Sequence, residues 1–77
     1  MTRDEALKLL RGGLDGVEEW NARRAQGDDA LDLEGLDLAR RDLGCVNLSR
    51  LCLACCDFSR AELANADLAG SYLGRVN

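Results

Sequence analysis

The sequence predicts a mainly β protein, a solenoid of very short parallel strands that follows a helical N-terminal segment. The first observation behind this prediction is a leucine or phenylalanine at every fifth residue. The second is a polar residue directly before nearly every one of them, and the third is a pair of small or hydrophilic residues directly after. The apolar series, which we expect to form the core, is Leu33, Leu38, Leu43, Leu48, Leu53, Phe58, Leu63, Leu68 and Leu73.

A period of five fits neither a helix nor a straight strand. On an α-helix each five-residue step rotates the side chain by about 140°, which scatters the leucines around the cylinder. On a strand an odd step sends alternate leucines to opposite faces. The chain must therefore turn once per repeat, and a chain that turns regularly winds into coils that can stack as parallel strands.

The residues around each leucine indicate where the turns lie. The residue two places earlier is mostly apolar or small, and the residue between the two is polar, so the triplet reads in–out–in as a short strand. The two residues after the leucine suit a tight corner. The outward residues are Asp32, Asp37, Asp42, Asn47, Asp57, Glu62 and Asp67, with Cys52 and Tyr72 as exceptions.

Three consecutive units, residues 56–60, 61–65 and 66–70, resemble the A-(D/N)-L-x-x units of the pentapeptide repeat proteins. The resemblance covers nine units, residues 31–75. It implies a right-handed quadrilateral parallel β-helix in which four units make one coil, residues twenty apart stack, and the chain completes about two coils. Arg41 departs from the small residues of its slot, and Leu31, Leu36 and Leu51 are large for it. We therefore expect an irregular first coil with Arg41 angled out toward solvent or the preceding segment.

The N-terminal part, residues 1–29, is predicted to be a helical cap and linker, and residues 30–77 the repeat domain. Thr2 and Glu5 have the spacing of a capping box, and Gly12 with Gly13 is expected to end that first helix. Asp15 and Glu18 predict the start of a second helix, which runs to about Gln26.

One face of the second helix carries Val17, Trp20 and Asn21. The open first coil would expose its leucines and unpaired backbone groups, which invites aggregation. We expect this face to cover that end, while a partner-binding helix is the alternative. The segment is similar to a leader that precedes pentapeptide tracts in many bacterial proteins.

No constellation of residues points to a reaction. The chain has no histidine, and stacked carboxylates such as Asp37 with Asp57 would lie on a convex surface without a cleft. We therefore predict no enzymatic activity, no catalytic residue and no cofactor.

The four cysteines are Cys45, Cys52, Cys55 and Cys56. The Cys52-x-x-Cys55 spacing is half of a zinc site, but nothing completes it. We predict structural thiols and no metal site, with metal or redox use as the alternative.

Basic residues occupy the last corner position of four repeats. Because acidic Asp37 and Asp57 share a face with Arg40 and Arg60, the arginines are expected to neutralise their own surface rather than to bind nucleic acid. The two remaining corner arginines are Arg50 and Arg75.

The functional prediction is a non-enzymatic protein–protein interaction or assembly module. It is expected to form a homo-oligomer through its C-terminal coil, with protein partners of unknown identity. The proposed interface comprises Leu68, Tyr72, Leu73 and Val76. The alternative, implied by the family resemblance, is a DNA-mimicking regulator of a type II topoisomerase or another DNA-binding enzyme. No apolar run is long enough for a signal or membrane segment, so we expect a cytoplasmic protein.

Overall fold

The computed structural model describes residues 1–28 and 33–76. Its regular secondary structure consists of two α-helices, α1 (Arg3–Leu10) and α2 (Gly13–Ala25). The predicted boundary between residues 29 and 30 lies outside the described residues, as do Leu31, Asp32 and Asn77. The division into two domains therefore stays a prediction.

Helix α1 begins as the sequence predicts. The Thr2 hydroxyl accepts a hydrogen bond from the Glu5 N–H at 3.1 Å, and the Glu5 carboxylate accepts one from the Thr2 N–H at 3.1 Å. The pKa of the Glu5 carboxyl is lowered, chiefly by the Thr2 N–H, then by its hydroxyl and by Arg23. This capping box satisfies two N–H groups that the helix itself cannot pair.

The predicted start of α2 is wrong. The helix begins at Gly13 rather than after Asp15, and its N-cap residue Gly12 makes no side-chain hydrogen bond. Gly13 has φ +69°, a conformation that costs glycine little, so the chain reverses within two residues. The Gly12 carbonyl then accepts from the Gly16 N–H at 3.4 Å. The other end of α2 lies where it was predicted, because Gln26 is its C-cap.

The predicted fold class, a mainly β protein built as a parallel β-helix, is also wrong. The described residues contain no β-strand and no sheet; residues 33–76 alternate turns with isolated parallel bridges. The physical reason is the turn every five residues, which leaves three residues between corners. Only the central one forms a bridge, and one bridged residue is too short for a strand. The bridges join Asp37 to Asp57, Asp42 to Glu62, Asn47 to Asp67 and Cys52 to Tyr72.

Residues 33–76, which we call the wound tract, nevertheless pair with themselves at a constant offset. The Leu38 N–H donates to the Asp57 carbonyl at 2.8 Å, and the Asp57 N–H donates to the Leu36 carbonyl at 2.9 Å. The same pattern recurs around each of the other three bridges. Because every bridge joins residues twenty apart, we call residues 33–52 the first winding and 53–72 the second winding.

The corners of the wound tract share one backbone conformation. The second residue after each apolar position has a positive φ, as at the third position of a type II turn. In most corners the apolar residue's carbonyl accepts from the N–H three residues later, for example Phe58 from Ala61 at 2.9 Å. The positive-φ residues are Gly35, Arg40, Cys45, Arg50, Cys55, Arg60, Asn65, Gly70 and Arg75.

The apolar series is buried unequally along the tract. Leu33, Leu38, Leu43, Leu48 and Leu53 are fully buried, in one cluster with residues of both helices. Further along, after Leu53, the side chains at the same positions of the second winding, Phe58, Leu63 and Leu68, are only half-buried. The helices lie against the first winding, which accounts for the difference.

The small-residue position, two places before the apolar position of each repeat, is occupied as follows. Leu36, Val46, Leu51 and Cys56 are buried in the small-residue position, and Arg41 is exposed there.

In the described part of the chain, neither helix has the length and apolar character needed to cross a membrane.

Candidate interaction surfaces at the two edges of the wound tract

Each winding directs its backbone groups toward two sides. The central residue of each triplet, such as Asp57, directs its N–H and carbonyl toward the preceding winding. The residue before it directs its carbonyl, and the residue after it directs its N–H, toward the following winding. The first winding has no winding before it, and its outward-pointing backbone groups form what we call the N-terminal edge. The corresponding groups of the second winding, together with the N–H of Leu73, form the C-terminal edge.

Side chains of α2 occupy the N-terminal edge at Asn47. The Trp20 indole N–H donates to the Asn47 carbonyl at 2.8 Å, and the Asn47 N–H donates to the Asn21 side-chain oxygen at 2.8 Å. The Asn21 amide group also donates to the Cys45 carbonyl at 3.0 Å. Both backbone groups of Asn47 are thus satisfied without a neighbouring winding.

Three arginines extend this contact to other carbonyls of the edge. Arg24 donates to Asn47 at 3.1 Å and to Ser49 at 2.8 Å. Arg11 donates through two nitrogens to the Asp37 carbonyl, at 3.2 and 3.0 Å, and Arg3 donates to the Glu34 carbonyl at 2.7 Å. We call α1 and α2 together the helical cap.

Two of the three residues predicted for a cap, Trp20 and Asn21, make hydrogen bonds at this contact. Val17 and Trp20 are buried in the core cluster, and Asn21 is half-buried. The arginine contacts were not predicted, because Arg23 and Arg24, both in the last turn of α2, equally suit the helix dipole. Helical spacing could have separated them, since Arg24 lies four residues after Trp20 on the same face. Arg23 instead pairs with Glu19 at 3.0 Å and Glu5 at 3.3 Å.

The C-terminal edge has no such cover among the described residues. The N–H groups of Phe58, Leu63, Leu68 and Leu73 make no hydrogen bond there, and neither do the carbonyls of Cys56, Ala61, Ala66 and Ser71. Of the predicted interface residues, Tyr72 is 63% and Leu73 37% exposed, and Leu68 and Val76 are half-buried. This edge therefore combines unpaired backbone groups with accessible apolar side chains.

The outward acidic residues have a local structural role. The Asp57 carboxylate accepts from the Ser59 N–H at 2.9 Å and from its hydroxyl at 2.6 Å. These hydrogen bonds, the hydroxyl's first, lower the pKa of Asp57. Asp37, Glu62 and Asp67 accept in the same way from the N–H two residues later. Among the described residues, Arg40 and Arg60 form no ion pair with Asp37 or Asp57.

The cysteines lie in different surroundings. Cys45, Cys52 and Cys55 are exposed, whereas Cys56 is buried and its thiol donates to the Leu33 carbonyl at 2.9 Å. Burial raises the pKa of the Cys56 thiol. The described part of the chain contains no group of three or more residues that could hold a metal ion.

An open hollow of about 450 Å³ lies on the side of the tract. Ser49, Arg50, Asp67, Ala69 and Gly70 line it. Among the described residues that line it, Asp67 is the one acidic residue, and its carboxylate already accepts a hydrogen bond from the Ala69 N–H. These residues therefore contain no pair of acids. Its residues give no support to a catalytic role.

Comparison with known proteins identifies the repeat. The family model for pentapeptide repeats matches residues 42–77 with eight copies. No curated protein and no solved structure matches the chain. The matched segment covers most of the wound tract, and a helical segment precedes it as the sequence predicts. The resemblance found in the sequence is therefore confirmed: residues 42–77 match the model of the pentapeptide repeats, and a helical segment precedes them.

Proposed function

We propose that this protein is a non-enzymatic interaction module that self-associates through the C-terminal edge of its wound tract to form a two-fold dimer. The observation that carries the proposal is the contrast between the edges. Side chains of the helical cap occupy the N-terminal edge, whereas the backbone groups of the C-terminal edge are unpaired in the described residues. Unpaired edges of this kind are templates for pairing with another chain.

The C-terminal edge is complementary to itself. At each turn a carbonyl and an N–H group two residues later point outward, as at Ser71 and Leu73. When two such segments meet antiparallel, each carbonyl can accept from the N–H of the other copy. A two-fold axis generates this antiparallel arrangement. The half-buried apolar side chains beside these groups, including Phe58 and Leu68, would lose further exposure.

The helical cap supports a closed assembly of two copies. Association of unlike edges would continue from copy to copy, but the cap already occupies one of the two edges. Contact between like edges uses the same surface on both copies and ends there. The proposed assembly is therefore a dimer with the two caps at its outer ends.

The charge pattern favours this proposal over regulation of a topoisomerase by DNA mimicry. Residues 31–77 carry seven acidic residues against five arginines, so the tract is weakly acidic. Four of the acids also use a carboxylate oxygen to hold their own turn. The molecule is 29 Å long in its longest dimension, and duplex DNA of that length carries about one phosphate per 1.7 Å.

Light scattering on the intact chain tests the proposal. We expect a dimer at tens of micromolar for the wild type and a monomer for Tyr72→Asp/Val76→Asp, because new carboxylates would be buried in the contact. The matched control is Leu14→Asp, which places a carboxylate at a 60% exposed leucine of the helical cap and should stay dimeric. A monomeric wild type would overturn the proposal.

A further inference from the structure

We propose that the N-terminal edge is a second interaction surface, and that its occupant, when the helical cap is released, is the C-terminal edge of another copy. The chain then forms a closed dimer while the cap is docked and an open head-to-tail stack when the cap is released. The inference shares one surface, the C-terminal edge, with the proposed function. It differs in requiring contact between unlike edges.

Asn47 and Asp67 occupy equivalent positions in the two windings, and their backbone groups have equivalent hydrogen bonds. In the second winding, the Asp67 N–H donates to the Val46 carbonyl at 2.9 Å, and the Asp67 carbonyl accepts from the Leu48 N–H at 2.8 Å. One winding earlier, the Asn47 N–H donates to Asn21, and the Asn47 carbonyl accepts from Trp20. Two side chains of α2 thus take the places that two backbone groups of a preceding winding would take.

The equivalence extends to three further carbonyls. In the second winding, Ala54, Asp57 and Ala69 each accept from a backbone N–H of the first winding at 2.8–2.9 Å. Twenty residues earlier, arginine side chains of the cap supply the donors instead. The three carbonyls and their donors are Glu34 with Arg3, Asp37 with Arg11, and Ser49 with Arg24.

A C-terminal edge can replace these donors because it repeats the same groups. The Ala66 carbonyl and the Leu68 N–H stand where Val46 and Leu48 stand one winding earlier, and they are unpaired in the described residues. In a head-to-tail contact they would bond Asn47 of the next copy as Val46 and Leu48 bond Asp67. The half-buried leucines of one copy would cover the first-winding leucines of the next.

The cap is suited to release because its polar anchors are side chains. Each of the three arginines and Asn21 gives up conformational freedom to hold one or two backbone groups. Asp42 shows that the cover is incomplete, since its N–H and carbonyl make no hydrogen bond in the described part of the chain. A full winding would pair this residue too, as Arg41 and Leu43 pair Glu62.

Release of the cap changes the symmetry of assembly. Both edges would then be open, and joining unlike edges leaves one of each kind at the ends of every assembly. Such contacts do not close, so copies add without limit. The cap accordingly acts as a terminator that confines the chain to contacts between C-terminal edges.

The test uses Arg11→Ala/Asn21→Ala/Arg24→Ala in the full chain, which removes anchors and leaves Trp20 in place. We expect its mass in light scattering to rise continuously with concentration. The matched control, Glu19→Ala/Arg23→Ala, removes the ion pairs of Arg23 with Glu19, Glu5 and Asp28. All of these lie within residues 1–28 and none contacts the tract, so the control should keep the wild-type mass.

Two further measurements separate stacking from unfolding. Three thiols are exposed and Cys56 is buried, so a folded tract reacts quickly with a thiol reagent at three sites and slowly at the fourth. Wild-type chain added to the stacks can join only through its C-terminal edge, and it should shorten them in proportion to its amount. Aggregates of unfolded chains would show four fast thiols and no such shortening.

The outcomes distinguish this inference from the proposed function. A triple variant that keeps Cys56 protected and has the wild-type mass overturns the inference, as do aggregates that wild-type chain does not shorten. If Cys56 loses its protection, Asn21→Ala alone, which removes only the bonds at Cys45 and Asn47, is judged by the same criteria. If the wild type is monomeric while the triple variant forms stacks, the dimer is overturned and the head-to-tail contact is supported.

Discussion

Gly16 of α2 lies directly against the carbonyl group of Leu9 in α1, and a Cβ atom on residue 16 would overlap that carbonyl oxygen. The backbone fixes the positions of both the Cβ and the carbonyl oxygen, so a side-chain rotation cannot relieve the overlap. The close approach sets the distance between the helices and thereby the positions of Leu10 and Trp20, which are both fully buried. The shape of the helical cap thus depends on one glycine.

Replacing that glycine by alanine should separate the two helices. We expect Gly16→Ala to lower the free energy of unfolding by about 1–3 kcal/mol, the usual cost of forcing extra volume into a packed site. Urea denaturation followed by circular dichroism measures the change.

Gly44→Ala is the matched control. A Cβ there would meet its nearest neighbours at 3.8 and 3.9 Å, which is ordinary contact, so stability should stay within about 1 kcal/mol of the wild type. Equal stability of the two variants would show that the helices do not depend on the approach at Gly16.

Most of what could be predicted about the wound tract came from the five-residue period of the sequence. It located the corners and the outward residues, because a tight corner and a buried leucine each demand particular side chains. It did not predict that only the central residue of each triplet forms a backbone bridge. The in–out–in pattern of Val46, Asn47 and Leu48 is that of a strand, yet only Asn47 forms a bridge. A pattern of burial does not by itself specify consecutive backbone pairing.

The helical cap could be predicted less fully. Apolar periodicity identified the face with Val17 and Trp20, because burial leaves a helical spacing in the sequence. The contacts of Arg3 and Arg11 with carbonyls of the tract leave no such trace, since an arginine in a short helix also suits solvent. Nor could the sequence indicate a helix start at Gly13 without a side-chain cap. The interface of Leu68, Tyr72, Leu73 and Val76 stays a prediction.

A charge placed in the apolar series should unfold the tract. Leu48 is fully buried, so Leu48→Asp would place a carboxylate in the core without a partner and cost several kcal/mol. Circular dichroism and the reactivity of Cys56 should both report an unfolded tract. Leu14→Asp makes the same change at an exposed leucine and should stay folded. A fully folded Leu48→Asp variant would refute the five-residue frame.

The turn at Asp57 should be sensitive to acid pH. The Ser59 hydroxyl and N–H donate to the Asp57 carboxylate and hold its pKa below the ordinary value of 3.8. A carboxyl with a lowered pKa in the folded state stabilises the fold fully above its unfolded pKa. That contribution falls away as the pH drops through the lower, folded value. Protonation of Asp57 should therefore weaken the turn below about pH 4.

Asp57→Asn isolates this contribution, because the asparagine oxygen can still accept from Ser59 but carries no charge. We expect the variant to be less stable than the wild type at pH 7 and to approach it at pH 3, with urea midpoints as the measurement. Other acid-sensitive groups, such as Glu5, affect both proteins equally and cancel in the comparison. Asp42→Asn is the control, since the Asp42 carboxylate accepts no hydrogen bond among the described residues and its removal should leave the midpoints unchanged. A difference between wild type and Asp57→Asn that is the same at both pH values would mean that the charge of Asp57 does not stabilise the turn.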